Sequence, residues 1–177
     1  MTIFFTSDWH LGHKNIIRYT QRPFSSIEEM ESCLIGEWHS RVTRRDTVYF
    51  LGDFSVTNAQ NRPRMEAILA SLPGHKILVV GNHDDGKIQG WDEEHRLLDV
   101  RVDGKHLLLC HYPLASWGDM RNILHLHGHT HGNGGRHPGM IDVGVDVWGG
   151  RIVTLEDILP HTEPFTGHRH EGTPYQI

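Results

Sequence analysis

The sequence predicts a mixed α/β fold with a sheet that is parallel in part. Three features carry this. In the first half, apolar runs of strand length alternate with stretches of helical apolar spacing. In the second half, such runs follow one another closely and are joined by turn residues, as in hairpins. Five runs also end in Asp, Asn or His, and open α/β sheets bind ligands outside the carboxyl ends of their strands.

Residues 2–6 form the first expected strand, followed by Ser7-Asp8-Trp9-His10. Residues 10–20 read as a loop or short helix. Ser26 and Glu29 have the spacing of a capping box. The helix behind them places Ile27, Met30, Leu34, Trp38 and Val42 on one face. Residues 47–51 form the second strand and lead to Gly52-Asp53. Pro63 suits the start of a second helix, with Met65, Ile68, Leu69 and Leu72 as its stripe and Pro73-Gly74 as its stop. Residues 76–80 are a buried strand broken by Gly81, and Asn82, His83 and Asp84 follow at once. Residues 86–95 read as a polar loop. Leu98, Val100 and Val102 alternate with polar residues, Asp103-Gly104 is a hairpin turn, and 105–110 returns and meets His111. Residues 123–126 lead to His127-Gly128-His129-Thr130-His131. Residues 141–148 alternate, Gly149-Gly150 turns, and 152–155 is the expected return strand. Thr154 and Asp157 can cap a short last helix. The expected organisation is a single domain over 1–160, then an irregular tail over 161–177.

Composition narrows the function. The chain has 177 residues, enough for a core, and a net charge of −5, which argues against broad electrostatic binding to nucleic acid or anionic lipid. No run has the length of a secretory h-region or a membrane span, so a cytoplasmic location is the default expectation. Cys33 and Cys110 stand in apolar contexts and read as reduced core residues.

The polar groups at the strand ends have the chemistry of metal ligands. Asp8 and His10 are two apart, as are His129 and His131, and alternate residues of a strand point to the same side. Gly128 lets the backbone turn between them. Asp53, Asn82 and His111 arrive singly. This set of two Asp, one Asn and four His contains no thiolate, which argues against a structural zinc and suits manganese, iron, nickel or zinc in a working site. It is too many ligands for one tetrahedral ion and fits two ions if a carboxylate bridges. His13, Asn15 and Arg22 follow the first pair closely, and that position makes them candidate contacts to substrate phosphate.

The order Asp8-x-His10, Gly52-Asp53, Gly81-Asn82-His83-Asp84, His111 and Gly128-His129-x-His131 resembles the calcineurin-like metallophosphoesterase superfamily. The opening DWHLGHKNI and the HYP at His111 resemble its small, single-domain bacterial and phage branch. The resemblance implies two packed mixed β-sheets flanked by helices, an αββα sandwich. It also implies two divalent transition-metal ions, manganese first. Asp8, His10, Asp53 and His131 would hold one ion. Asp53, Asn82, His111 and His129 would hold the other. His83 would be the catalytic histidine that does not bind metal, and Asp84 its orienting partner.

The expected activity is a metal-dependent phosphoester hydrolase, with a phosphodiesterase of small, nucleotide-like substrates foremost. A phosphomonoesterase or protein phosphatase, a nuclease and a non-catalytic metal-binding scaffold are the alternatives. No membrane partner is expected, nucleic acid is disfavoured by charge, and the chain is a monomer or a homodimer.

Overall fold

The apolar runs become strands within a residue or two of their expected ends. The computed structural model describes residues 1–84, 88–135 and 137–165. One sheet holds β1 (Ile3–Thr6), β2 (Thr47–Phe50), β3 (His75–Val79), β4 (Glu93–His95) and β9 (Val153–Thr154), in the order β4-β3-β2-β1-β9. The other holds β5 (Leu97–Val102), β6 (Lys105–Cys110), β7 (Ile123–His127) and β8 (Met140–Asp142), in chain order. The first four strands of sheet one pair in parallel and β9 joins antiparallel. In sheet two, β5–β6 is an antiparallel hairpin and β6, β7 and β8 run parallel. Two mixed sheets with helices, as expected, are therefore the architecture.

Strand alternation builds two cores. Phe4, Val48, Phe50 and Leu78 face α2 (Ile27–Arg41) and α3 (Arg62–Ser71), where Met30, Leu34, Trp38, Met65 and Leu69 are buried. Phe5, Leu51 and Val79 point the other way and meet Leu107, Leu109 and Leu126 of the second sheet. Burying a side chain of this size contributes about 1.5–3 kcal/mol. Parallel strands place their carboxyl ends together, so both sheets offer an edge to the same region.

The hairpin at Asp103-Gly104 forms as expected. Both residues have positive φ (47° and 77°), the combination a two-residue turn with the right twist requires. Thr154 and Asp157 form a reciprocal capping box for α4 (Leu155–Ile158). A short helix, α1 (Ile16–Tyr19), lies in the loop after β1.

Four expectations need correction. Ser26 caps α2, but the Glu29 carboxylate reaches back to Ser25 rather than Ser26, so only half the box closes there. Residues 93–95 are not loop: they form β4, a parallel edge strand whose polar residues hide it from periodicity. β8 and β9 are not partners. Gly149-Gly150 turns the chain, but β9 pairs with β1 in the other sheet. Cys110 is buried, whereas Cys33 lies on the exposed side of α2; both are free. The irregular tail expected over 161–177 lies outside the described residues from 166 onward. No helix among the described residues is long and apolar enough to cross a membrane.

Gly36 sits inside α2 with open space around a prospective Cβ. Gly36→Ala should therefore stabilise the protein by about 0.5–1 kcal/mol, read as a higher urea midpoint, because it removes unfolded-state backbone freedom without a clash.

Candidate metal centre

The seven expected ligands converge, but not on one sheet edge. Asp8 and His10 follow β1, Asp53 follows β2 and Asn82 follows β3, whereas His111 follows β6 and His129 and His131 follow β7. The site thus lies between the carboxyl edges of two sheets.

The i, i+2 pairs also converge for a reason other than strand pleating. Both pairs lie beyond their strands, and Asp8 (φ 61°), His10 (53°), Asp53 (60°), His129 (67°) and His131 (49°) all adopt the left-handed backbone region. Such a conformation costs about 1–3 kcal/mol for a residue with a side chain and gathers at functional sites. Hydrogen bonds hold it: Asp8 N–H donates to Gly52 O (2.9 Å), His10 N–H to Asp53 O (2.9 Å) and Leu11 N–H to Phe54 O (3.0 Å). Trp9 anchors the same loop. It is fully buried, its ring centroid lies 5.6 Å from that of Trp38 and 5.5 Å from that of Phe50, and Nε1–H donates to Thr6 Oγ1.

Two donor clusters result. Asp8, His10 and His131 place one ligand atom each within 4.8 Å of one another, and so do Asp53, His111 and His129. His10 Nε2 lies 3.9 Å from Asp8 Oδ1 and 3.5 Å from Asp53 Oδ2, and His111 Nε2 also lies 3.5 Å from Asp53 Oδ2. Asn82 Oδ1 lies 3.0 Å from His111 Nε2 and 3.0 Å from His129 Nδ1, which completes the second cluster. His111 Nδ1–H donates to Leu51 O, leaving Nε2 inward. His10 and Asp53 form a third such group with His83, whose ring centroid is 5.1 Å from that of His10. Asn82 and His129 are exposed and His83 is half-buried, so one side of the site is open.

The chemistry of this donor set fits metal. His10 is 2% exposed, and neither ring nitrogen has a hydrogen-bond partner. Leaving a buried polar group unpaired costs roughly 1–3 kcal/mol, and a cation between His10, Asp8 and Asp53 would satisfy it. Burial pushes the Asp8 carboxyl up to about 8 and holds His10 far below its ordinary value, also through the charges of His131 and Arg22. Burial likewise pushes Asp84 up to about 6.

These shifts have a sign. Between roughly pH 6.5 and 8, folded Asp8 keeps a proton that the unfolded chain has released. Metal-stripped protein should therefore lose stability as pH rises through that window. Divalent metal displaces the proton, so its apparent affinity should strengthen with pH and abolish the loss. Melting temperatures at stepped pH, with and without manganese, check both.

Asp84 departs from its expected role. Its carboxylate accepts N–H bonds from Asp53 (2.5 Å), Phe54 (2.9 Å) and Gly81 (3.0 Å), not one from His83. It fastens the β3 turn to the β2 turn, where the Gly52 and Gly81 backbones approach so closely that a Cβ on Gly52 would lie 2.8 Å from Gly81 Cα. Arg22 departs as well. It is buried, and its guanidinium is committed to Asp146 and to the carbonyls of Asp8 and Trp9, so it faces inward rather than toward a substrate. His13 remains beside the centre, half-buried with its ring centroid 5.8 Å from that of His10, whereas Asn15 is exposed and makes no side-chain cap. His125 and His127 are buried strand residues bonded to backbone groups.

Four residues outside the expected site set support the centre. Ser7 Oγ–H donates to Asp8 Oδ2 (2.7 Å). Asp142 accepts from Thr130 Oγ1 (2.6 Å) and Gly132 N (3.1 Å), which fixes the loop carrying His129 and His131. Asp146 meets His131 Nδ1 at 2.7 Å. Tyr112 packs edge-on against His111 and His129, each at 4.9 Å between centroids. Asp142 and Asp146 alternate with valines in DVGVDVW, which reads as a strand; the polar member of each pair was the signal.

Comparison with known proteins gives the family. The calcineurin-like phosphoesterase family model matches residues 1–175, and the chain belongs to that family. An uncharacterized protein of Methanocaldococcus jannaschii is 36% identical over 131 residues, covering 74% of this chain and 70% of its own length. The gene 66 protein of Mycobacterium phage L5 is 30% identical over 94% of this chain and 95% of its own length. A crystal structure of a protein of unknown function from Aquifex aeolicus superposes with a TM-score of 0.70 at 26% identity, covering 89% of this chain and 97% of that one. Membership of this family makes the chain a metal-dependent phosphoesterase, a hydrolase of phosphoric esters.

Proposed function

We propose that the chain is a dinuclear phosphodiesterase acting on small, nucleotide-like phosphoesters. The observation that carries the reading is the place of Asp53, one of whose carboxylate oxygens stands 3.5 Å from an imidazole nitrogen of each donor cluster. Asp8, His10, Asp53 and His131 would hold one ion, and Asp53, Asn82, His111 and His129 the other. Two divalent ions there would lower the pKa of a water and offset charge on the phosphoryl oxygens. Manganese is our first choice, with iron, nickel and zinc as alternatives, because the donors are imidazole and oxygen without thiolate.

The chain's own residues do the rest. His83 N–H donates to Asp53 Oδ1 (2.8 Å), which fixes its backbone against the centre while its ring stays partly open to solvent. From there it gives a proton to the leaving oxygen. Asp84 holds the turn that aims it. His13 and Asn15 line the approach. With Arg22 committed to Asp146, the open side presents imidazoles and an amide, a set better suited to the single charge of a diester than to the double charge of a monoester. The net charge of −5 favours small substrates over long polyanions.

The test is hydrolysis of bis-p-nitrophenyl phosphate beside p-nitrophenyl phosphate. It uses metal-stripped protein with manganese, iron, nickel or zinc restored. Faster metal-dependent turnover of the diester supports the reading, and faster turnover of the monoester overturns it. His83→Ala should lower kcat by about 10²–10⁴-fold with metal content unchanged; an unimpaired variant removes His83 from the mechanism.

A further inference from the structure

Asp146 lies in the turn after β8, 15 residues along the chain from His131, and its side chain is only 5% exposed. It is held from two sides. Arg22 donates to it twice, Nε–H to Oδ1 (2.7 Å) and Nη2–H to Oδ2 (2.8 Å). Nδ1 of His131 lies 2.7 Å from Oδ2. Arg22 then reaches on, with Nη2–H donating to Asp8 O (2.6 Å) and Nη1–H to Trp9 O (3.0 Å). One guanidinium therefore touches the loop carrying Asp8 and His10, and through Asp146 it touches the ring of His131.

We propose that Arg22 and Asp146 are positioning residues of the metal centre, which fix His131 with Nε2 turned to Asp8 and His10 and clamp the two loops that carry these three ligands. The proposal rests on the reading of His131 as a ligand. Three points support it. The Nδ1 contact leaves Nε2 as the free donor, the arrangement in which an outer partner orients a metal-binding histidine. The paired donation from Arg22 leaves the Asp146 carboxylate no freedom to rotate away. And Asp8, His10 and His131 all adopt the left-handed region, a conformation that needs outside contacts to hold it. The second cluster lacks this support, since His111 is oriented by Leu51 O and Asp53 is bonded to His83 N.

A purely structural ion pair predicts a different outcome, and metal titration separates the two. Metal-stripped wild type, Asp146→Ala and the double variant Arg22→Met/Asp146→Leu are titrated calorimetrically with Mn(II), and their Co(II) forms are compared by visible absorption. Wild type should bind two ions. In Asp146→Ala, one site should weaken by about 10–100-fold, the usual loss when an outer partner is removed, while the other keeps its affinity and half of the Co(II) spectrum is unchanged. Removing one member of a buried pair strands the other charge, so this variant is at risk of unfolding. The double variant replaces both charges with apolar side chains of similar size and restores packing. It should melt above Asp146→Ala and still show one weakened site. A double variant with two sites of wild-type affinity overturns the proposal and leaves the proposed function standing. Wild type that fails to bind two ions overturns the dinuclear reading and this proposal together.

Discussion

Asp53→Asn will abolish metal-dependent phosphoester hydrolysis without unfolding the protein. The substitution keeps the side-chain shape, and Asn is among the residues that best tolerate the left-handed backbone that Asp53 adopts (φ 60°). What it removes is the one charge facing both His10 and His111 at 3.5 Å. Without that charge neither donor cluster keeps a carboxylate on the shared side, and the two sites of the proposed dinuclear centre lose their common ligand. The expected fall in kcat/KM is at least about 10³-fold, roughly 4 kcal/mol of transition-state stabilisation. Stability of the metal-stripped protein should move the other way. Burial is the main reason the Asp8 and Asp84 carboxyls stand high, and the Asp53 charge pushes both further up, so its loss removes an acidic charge from beside them. Kinetics with restored manganese and a thermal melt in chelator check the two arms. Loss of activity together with a lower melting temperature would mean that Asp53 is needed to fold rather than to bind metal.

The contrast between Asp53 and Arg22 shows which parts of the site are legible in sequence. Asp53, Asn82, His111 and the Asp8 and His131 motifs each follow an apolar run, so local pattern alone marks them as strand-end groups. Their convergence follows once the strands pair in parallel. Arg22 and Asp146 are 124 residues apart and neither directly follows a strand, so no local pattern links them. Arg22 is close in sequence to His10, and proximity along the chain made it read as a substrate contact; its guanidinium instead binds the carbonyls of Asp8 and Trp9 and, from beyond β8, the carboxylate of Asp146. Asp84 misleads for the same reason. Its neighbour His83 is the obvious partner by sequence, whereas the backbone N–H groups of Asp53 and Phe54 are the closer donors in space. The fold errors share this origin. Alternation identifies β8 and β9 as strands, but periodicity carries no information about which sheet a strand joins, and the Gly149-Gly150 turn disguised a sheet change as a hairpin.

Gly128→Ala should damage the site severely. Gly128 ends β7 directly against the β1 loop, and a Cβ there would lie 2.5 Å from Asp8 Oδ2 and 2.8 Å from Ser7 Cβ, and would overlap Ser7 Oγ. Nothing nearby can yield cheaply. Ser7 and Asp8 are fully buried, Ser7 Oγ–H is bonded to Asp8 Oδ2 and Leu51 O, and Asp8 accepts from His129 N. Overpacking of this kind costs about 1–3 kcal/mol, which lowers the melting temperature by roughly 2–12 °C for a chain of this size. The larger effect is on activity. The clash pushes the Asp8 carboxylate away from His10 and His131, and misplacement by about 1 Å costs on the order of 10²-fold. Gly36→Ala, which adds the same methyl in open space, is the control. If Gly128→Ala retains wild-type turnover and manganese affinity, Asp8 is not held where metal binding requires it, and the first donor cluster loses its carboxylate.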